Sequence, residues 1–175
     1  MYFSKFPNKI RPANIFVFAK PKQEFINDSR ANECRAKPHA KSVVKFKKRM
    51  KALTCRSWSV SNSYKVKKLN QLIRGWINYF GIGSMKKLCL EMDKRIRFRL
   101  RMCIWKHWKT PQNRAKGLMK LDVPRWAAFN IAYCEDKYAW LAHNVWVQKA
   151  ISNKRLASFG LVSMLDYYTE RCGTC

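Results

Sequence analysis

The clearest pattern along the chain lies between residues 67 and 80. Leu69, Leu72, Ile73, Trp76, Ile77 and Phe80 recur at three- and four-residue steps and form one apolar stripe, with Lys67, Gln71, Arg74 and Asn78 on the opposite side. That period predicts an amphipathic helix, ended by Gly81 and Gly83. Upstream, Ser42 is read as the N-cap of a helix whose apolar positions are Val43, Phe46, Met50 and Leu53, and Thr54 to Ser63 is a polar break. After Ser84 a long helix is expected to about Trp108. Leu88, Cys89, Met92, Ile96, Leu100 and Cys103 fall on one side of it, and Lys94, Arg97 and Arg101 on the other. Thr110 and Pro111 read as N-cap and first helical residue of the next helix, to about Leu121.

Asp122 to Pro124 restarts a helix through about Cys134. Residues 138–151 are expected to be helical with Tyr138, Leu141, Val145 and Ala150 apolar. Ser152 caps a short helix ended by Gly160, and Leu161 to Tyr168 is the last periodic stretch. The N-terminus differs. Residues 1–20 suggest a strand, a turn and a strand, and residues 20–40 lack any period and read as a loop or linker. The expected fold is mainly α: a multi-helix bundle with a short β-like or irregular N-terminal segment.

Charge changes the picture most. Of 175 residues, 37 are Lys or Arg and 10 are Asp or Glu, a formal net charge of +27. No acid occurs between Cys34 and Leu90, a stretch with fifteen Lys and Arg. A one-signed surface on helices able to bury a core implies a polyanion, and nucleic acid is the leading candidate. An acidic protein or a membrane surface is the alternative, and an ordinary solvated face fits poorly because the balancing acids are missing. Phe98, Trp105 and Trp108 lie beside these bases. They either stack on unpaired bases or, the favoured reading, pack against a second helical layer. Trp76 and Phe80 are assigned to the core.

Catalytic chemistry is hard to find. His39, His107 and His143 are far apart and lack carboxylates at metal-ligand spacing, and the few acids do not pair for two-metal chemistry. There is no phosphate-cradling glycine loop. The seven cysteines are odd in number and irregularly spaced, as for reduced core thiols of a cytosolic protein. Cys172 and Cys175 form one terminal CxxC, the weak candidates for a metal. No secretory or membrane-spanning run is present.

Several segments together resemble a known family. Leu69-Asn70-Gln71-Leu72-Ile73-Arg74-Gly75-Trp76-Ile77-Asn78-Tyr79-Phe80 resembles the signature of the group II intron maturase-specific domain, often called domain X. Asp93 to Arg101, followed by Trp105-Lys106-His107-Trp108-Lys109, resembles its next helix. Ser152-Asn153-Lys154, Gly160 to Ser163 and Leu165-Asp166 resemble its end, and His39 to Thr54 the helix joining the reverse-transcriptase thumb to it. The resemblance covers roughly residues 39–168.

It implies a non-enzymatic module that binds group II intron RNA and assists its folding and splicing, with the RNA doing the chemistry and no cofactor. Intact members carry a reverse-transcriptase domain, whose Tyr-X-Asp-Asp motif is absent here. The divisions it suggests are 1–40 (strand-like remnant and linker), 41–83 (thumb-like helices), 84–170 (domain X) and 171–175 (tail). Lys67, Arg74, Arg97 and Arg101 are the first expected phosphate contacts. Lys45, Lys47, Lys48, Arg49 and Lys51 extend that surface, followed by Arg56, Lys94, Arg95, Arg99, Lys106, Lys109 and Arg114. Arg74 has a rival role inside the fold. Non-specific DNA and a separate reverse-transcriptase chain are secondary partners, no membrane is expected, and the compartment expected is the cytoplasm, bacterial before organellar. The alternatives are a remnant of a degraded intron reading frame, or part of a nuclease or polymerase acting with another chain.

Overall fold

The computed structural model describes residues 23–28, 33–134 and 137–172, with side chains from residue 37 onward. The strands expected over residues 1–20 lie outside these. The first described elements are β1 (Gln23–Asp28) and β2 (Glu33–Pro38), paired antiparallel from Gln23 opposite Pro38 to Asp28 opposite Glu33. The pair falls within residues 20–40, where the sequence shows no period. Main-chain pairing needs no hydrophobic alternation, so the missing period carried no information there.

The rest is helical. The elements are α1 (Ala40–Leu53), α2 (Asn62–Phe80), α3 (Lys86–His107), α4 (Pro111–Met119), α5 (Arg125–Ala132), α6 (Tyr138–His143), α7 (Val145–Ala150), α8 (Asn153–Ser158) and α9 (Met164–Cys172). α1 begins three residues earlier than expected, because the His39 ring accepts from the Lys41 amide at 3.0 Å and takes the capping role assigned to Ser42. Ser61, Thr110 and Ser152 cap α2, α4 and α8 through their side-chain oxygens.

The stripe of α2 buries as its spacing requires: Leu69, Ile73, Trp76, Ile77 and Phe80 are all in the core. Trp76 sits between Phe46 of α1 and Phe80, each 5.0 Å away by ring centroid. Each such side chain contributes about 1.5–3 kcal/mol. α3 follows a different rule. Cys89, Met92, Ile96, Leu100 and Cys103 are buried as expected, but so are Asp93 and Arg101 on its other side. It is the central helix, touched by α6 and α9, and residues buried around its circumference erase the two-faced pattern.

Residues 138–151 form two helices instead of one, because Asn144 has extended ψ (135°) and its side chain caps α7 through the Trp146 amide. The break shifts the phase. Val145, one of the apolar positions expected of a single helix, is 75% exposed, and Val147 is buried.

Two motif residues tie the C-terminal turn to α2 and α3. Asn70 donates to the Gly160 carbonyl at 2.6 Å and accepts from the Val162 amide at 3.0 Å. Asp93 accepts from the Ser163 hydroxyl and from the Met164 and Leu165 amides at 2.8–3.1 Å, capping α9 with a buried carboxylate. Gly160 makes the turn at φ +93°, where a side chain is strained.

Candidate nucleic-acid interface

The cations sort into two populations. The first faces solvent. On α1, Lys45, Lys48, Arg49 and Lys51 are exposed and Lys47 is half-buried. Lys67 and Arg74 project from α2, and Lys94, Arg95 and Lys106 from α3. Arg95 pairs with Glu91 at 2.8 Å, and Lys47 reaches the same carboxylate at 3.6 Å from α1. Exposed pairs of this kind stay exchangeable with a phosphate.

Aromatic rings hold some of these cations in place. Arg56 lies 4.6 Å and Lys106 5.9 Å from the Tyr138 ring centroid, and Arg74 lies 5.9 Å from that of Tyr167. The last contact is the rival, internal role expected for Arg74, made while the residue remains exposed. Arg114 stands 5.4 Å from the Trp105 centroid, with its Nε buried and lacking an acceptor.

The second population points inward and serves backbone carbonyls. Arg101, a first choice for phosphate contact, is 9% exposed. Its Nε donates to the Ile151 carbonyl at 3.0 Å and its Nη2 to the Asn153 side chain at 3.1 Å, closing the α7–α8 junction. Its expected place on an open polar face is corrected. Helical phase put it opposite Leu100, but α3 is covered on that side too. Burial pushes its guanidinium below the ordinary value, with Arg97 adding to the effect. Arg99 bonds Thr54 Oγ1 at 2.5 Å and the Lys51 and Thr54 carbonyls at 3.3 Å, placing its charge at the C-terminus of α1. Arg97 is drawn to 3.7 Å from Asp93 and stays partly exposed.

Two members of this inner set had no sequence signal. Lys65, 3% exposed, donates to the Cys55 carbonyl at 3.1 Å. Arg155 donates to the Leu121 and Ala150 carbonyls at 2.8 Å and pairs with Asp122. Only long-range contacts distinguish these bases from the outer ones.

Two clefts lie on the basic surface. One, of about 430 Å³, runs between α1 and α3, with Val44, Met50 and Phe98 as its apolar part and Lys47, Lys48, Lys51, Arg95 and Arg99 around it. The other, of about 700 Å³, sits at the α3–α4 corner beside Trp108, with Lys109, Lys116 and Lys120. Lys109 holds the corner at φ 54°. Lys116 and Lys120, the latter the C-cap of α4, were not singled out in the sequence, although their i,i+4 spacing is a usable signal.

Of the aromatics expected near the bases, Trp105 and Trp108 pack as favoured, and Phe98 packs on one side while also lining the α1–α3 cleft. Trp105 is buried, Trp108 lies against Gly117, and Phe98 contacts the His143 ring at 4.6 Å. Of the cysteines, Cys89 and Cys103 are buried, and burial pushes the Cys89 thiol up to about 12. Cys172 sits against Gly81, where a Cβ would come within 2.7 Å of its sulfur, and Cys175 lies outside the described residues. Among the described residues no three His, Cys, Asp or Glu side chains gather as metal ligands, and no helix is long and apolar enough to cross a membrane.

Residues 43–122 match the family model of the group II intron, maturase-specific domain. The matched stretch runs from α1 through α4 and contains both clefts and most of the exposed bases among the described residues. No curated protein matches the chain.

Proposed function

We propose, on the premise of that match, that this chain is an RNA-binding module of maturase type. It binds folded group II intron RNA and stabilises the splicing-competent fold, and the RNA performs the chemistry. The observation that carries this reading is the outer cation set of α1–α3. Lys45, Lys48 and Lys51 on α1, Lys67 on α2 and Lys94 on α3 all stand exposed, and Glu91 is an exposed acid on α3. Intron RNA packs phosphates densely, and each one neutralised returns condensed counterions to solution. The matched domain is the maturase-specific one and not the polymerase palm, which supports a binding role over a catalytic one.

The test is a salt titration of binding to a folded group II intron RNA, to an unrelated structured RNA and to duplex DNA of equal length. The reading expects a steep log–log slope for all three and tighter binding to the intron at moderate salt. Affinity that does not change with salt, or equal affinity for all three, would sink it. Splicing assistance is tested separately, as intron self-splicing at low Mg²⁺ with and without the protein.

A further inference from the structure

The cleft between α1 and α3 is built differently from the surface around it. Phosphate binding alone needs cations on an open face, and α1 supplies these elsewhere. Here the cations surround an apolar concavity. Phe98 has one neighbour fixed, the His143 ring at 4.6 Å, and also lines the cleft. Val44 is 63% exposed, an aliphatic residue left open in the middle of a lysine-covered helix. Arg99 forms one wall, its Nε donating to Thr54 Oγ1 and its Nη2 to the Lys51 carbonyl. Lys48 and Lys51 stand exposed at the opening, and Arg95 lines it while paired with Glu91 at 2.8 Å.

The chemistry this combination fits is flat and apolar with an attached anion. A duplex cannot use it, because paired bases keep their faces in the stack. A splayed-out nucleotide can place its base on an aromatic or aliphatic floor and its phosphate among cations. We infer that the cleft between α1 and α3 binds one unpaired nucleotide of the RNA, its base against Phe98 and Val44 and its phosphate on Lys48 and Lys51. The inference rests on the RNA-binding reading and deepens it: the module would recognise a bulge or loop as well as backbone charge.

The test uses the full chain and three RNA hairpins of equal charge: one with a single bulged 2-aminopurine, one with an abasic bulge, and one fully paired with a phosphate added at an end. The bulged base is expected to bind about tenfold tighter than the abasic bulge, with a change in 2-aminopurine fluorescence. Phe98→Leu keeps an apolar volume and removes the aromatic face, and Val44→Gln puts a polar side chain into the opening from an exposed position. Each is expected to lower that preference at least about threefold while leaving the paired hairpin's affinity and salt slope unchanged. Helical circular dichroism checks that both variants are folded. Equal binding of the base and abasic bulges, or a preference that survives both substitutions, overturns the inference. So does displacement of the cleft-specific signal only by an acidic, Phe-containing peptide. Loss of salt-dependent binding to all three hairpins would instead refute the RNA-binding reading itself.

Discussion

Arg95 and Arg101 stand six residues apart on α3 and live in different regions of the molecule. Arg95 is half in solvent, tied to Glu91 by an exposed pair at the edge of the basic face. Arg101 is inside, bonded to a carbonyl and an amide of the α7–α8 junction. The outer region is a set of exchangeable charges. The inner one, with Lys65, Arg99 and Arg155, uses the same residue types to satisfy carbonyls at helix ends, where the backbone has no partner of its own. In a chain this basic, a high count of Lys and Arg measures two demands at once, binding and folding.

The sharpest way to break the comparison is to cut inner contacts and ask whether binding notices. Asp93→Ala removes three hydrogen bonds to a buried carboxylate at the start of α9, and is expected to cost about 3 kcal/mol. Arg101→Met keeps most of the volume but strands the Ile151 carbonyl, and is expected to cost about 2–3 kcal/mol. For a chain of this size that lowers the Tm by roughly 5–10 °C. Once the variants are folded at low temperature, the salt slope of RNA binding should match the wild type. A slope that falls by about one unit for Arg101→Met would return that residue to the outer set.

The reciprocal experiment removes outer charge. Lys45→Ala, Lys48→Ala and Lys51→Ala together should weaken RNA binding on the order of a hundredfold at about 0.1 M salt and flatten the slope by about three. Thermal stability should hold or rise slightly, since like charges are removed from one helix. A large drop in Tm would mean that α1 needs those lysines to fold.

Gly160→Ala asks whether the C-terminal turn belongs to the inner frame. Its φ of +93° is costly for any residue with a Cβ, and nothing nearby would otherwise obstruct the added atom. The expected loss is about 1–2 kcal/mol, read by thermal melting, with no effect on RNA affinity. No loss of stability would show that the turn, despite its bonds to Asn70, is loosely coupled to α2.

What could be read from the sequence followed the same division. The α2 stripe was legible because one side faces the core and the other faces water. The Asn70 and Asp93 motifs were visible as residues, but their function was not, since their partners lie 70 to 92 positions away. Arg101 was misplaced because helical phase identifies the face that is most apolar, and α3 has no open face along that turn. Val145 was misplaced by one capping residue, Asn144. The outer lysines of α1 were placed well because exposure is the default for charge. The cleft was not foreseen, since its floor and walls come from helices separated by α2.

The smallest expected effect has the opposite sign and tests the outer region most directly. Glu91 sits among the outward bases, 2.8 Å from Arg95 and 3.6 Å from Lys47, both of which border the cleft. With the carboxylate about half exposed, the pairs contribute little to stability, so Glu91→Gln should cost less than about 1 kcal/mol. In the RNA complex the same carboxylate competes with phosphate for two cations. Removing its charge should therefore tighten binding a few-fold and steepen the salt slope by up to about one. A substitution that weakens folding slightly and strengthens binding is the signature of a charge set held in reserve for a ligand. If Glu91→Gln weakens binding instead, the bridge from α3 to Lys47 is shaping the cleft, and the outer cations are less exchangeable than their exposure implies.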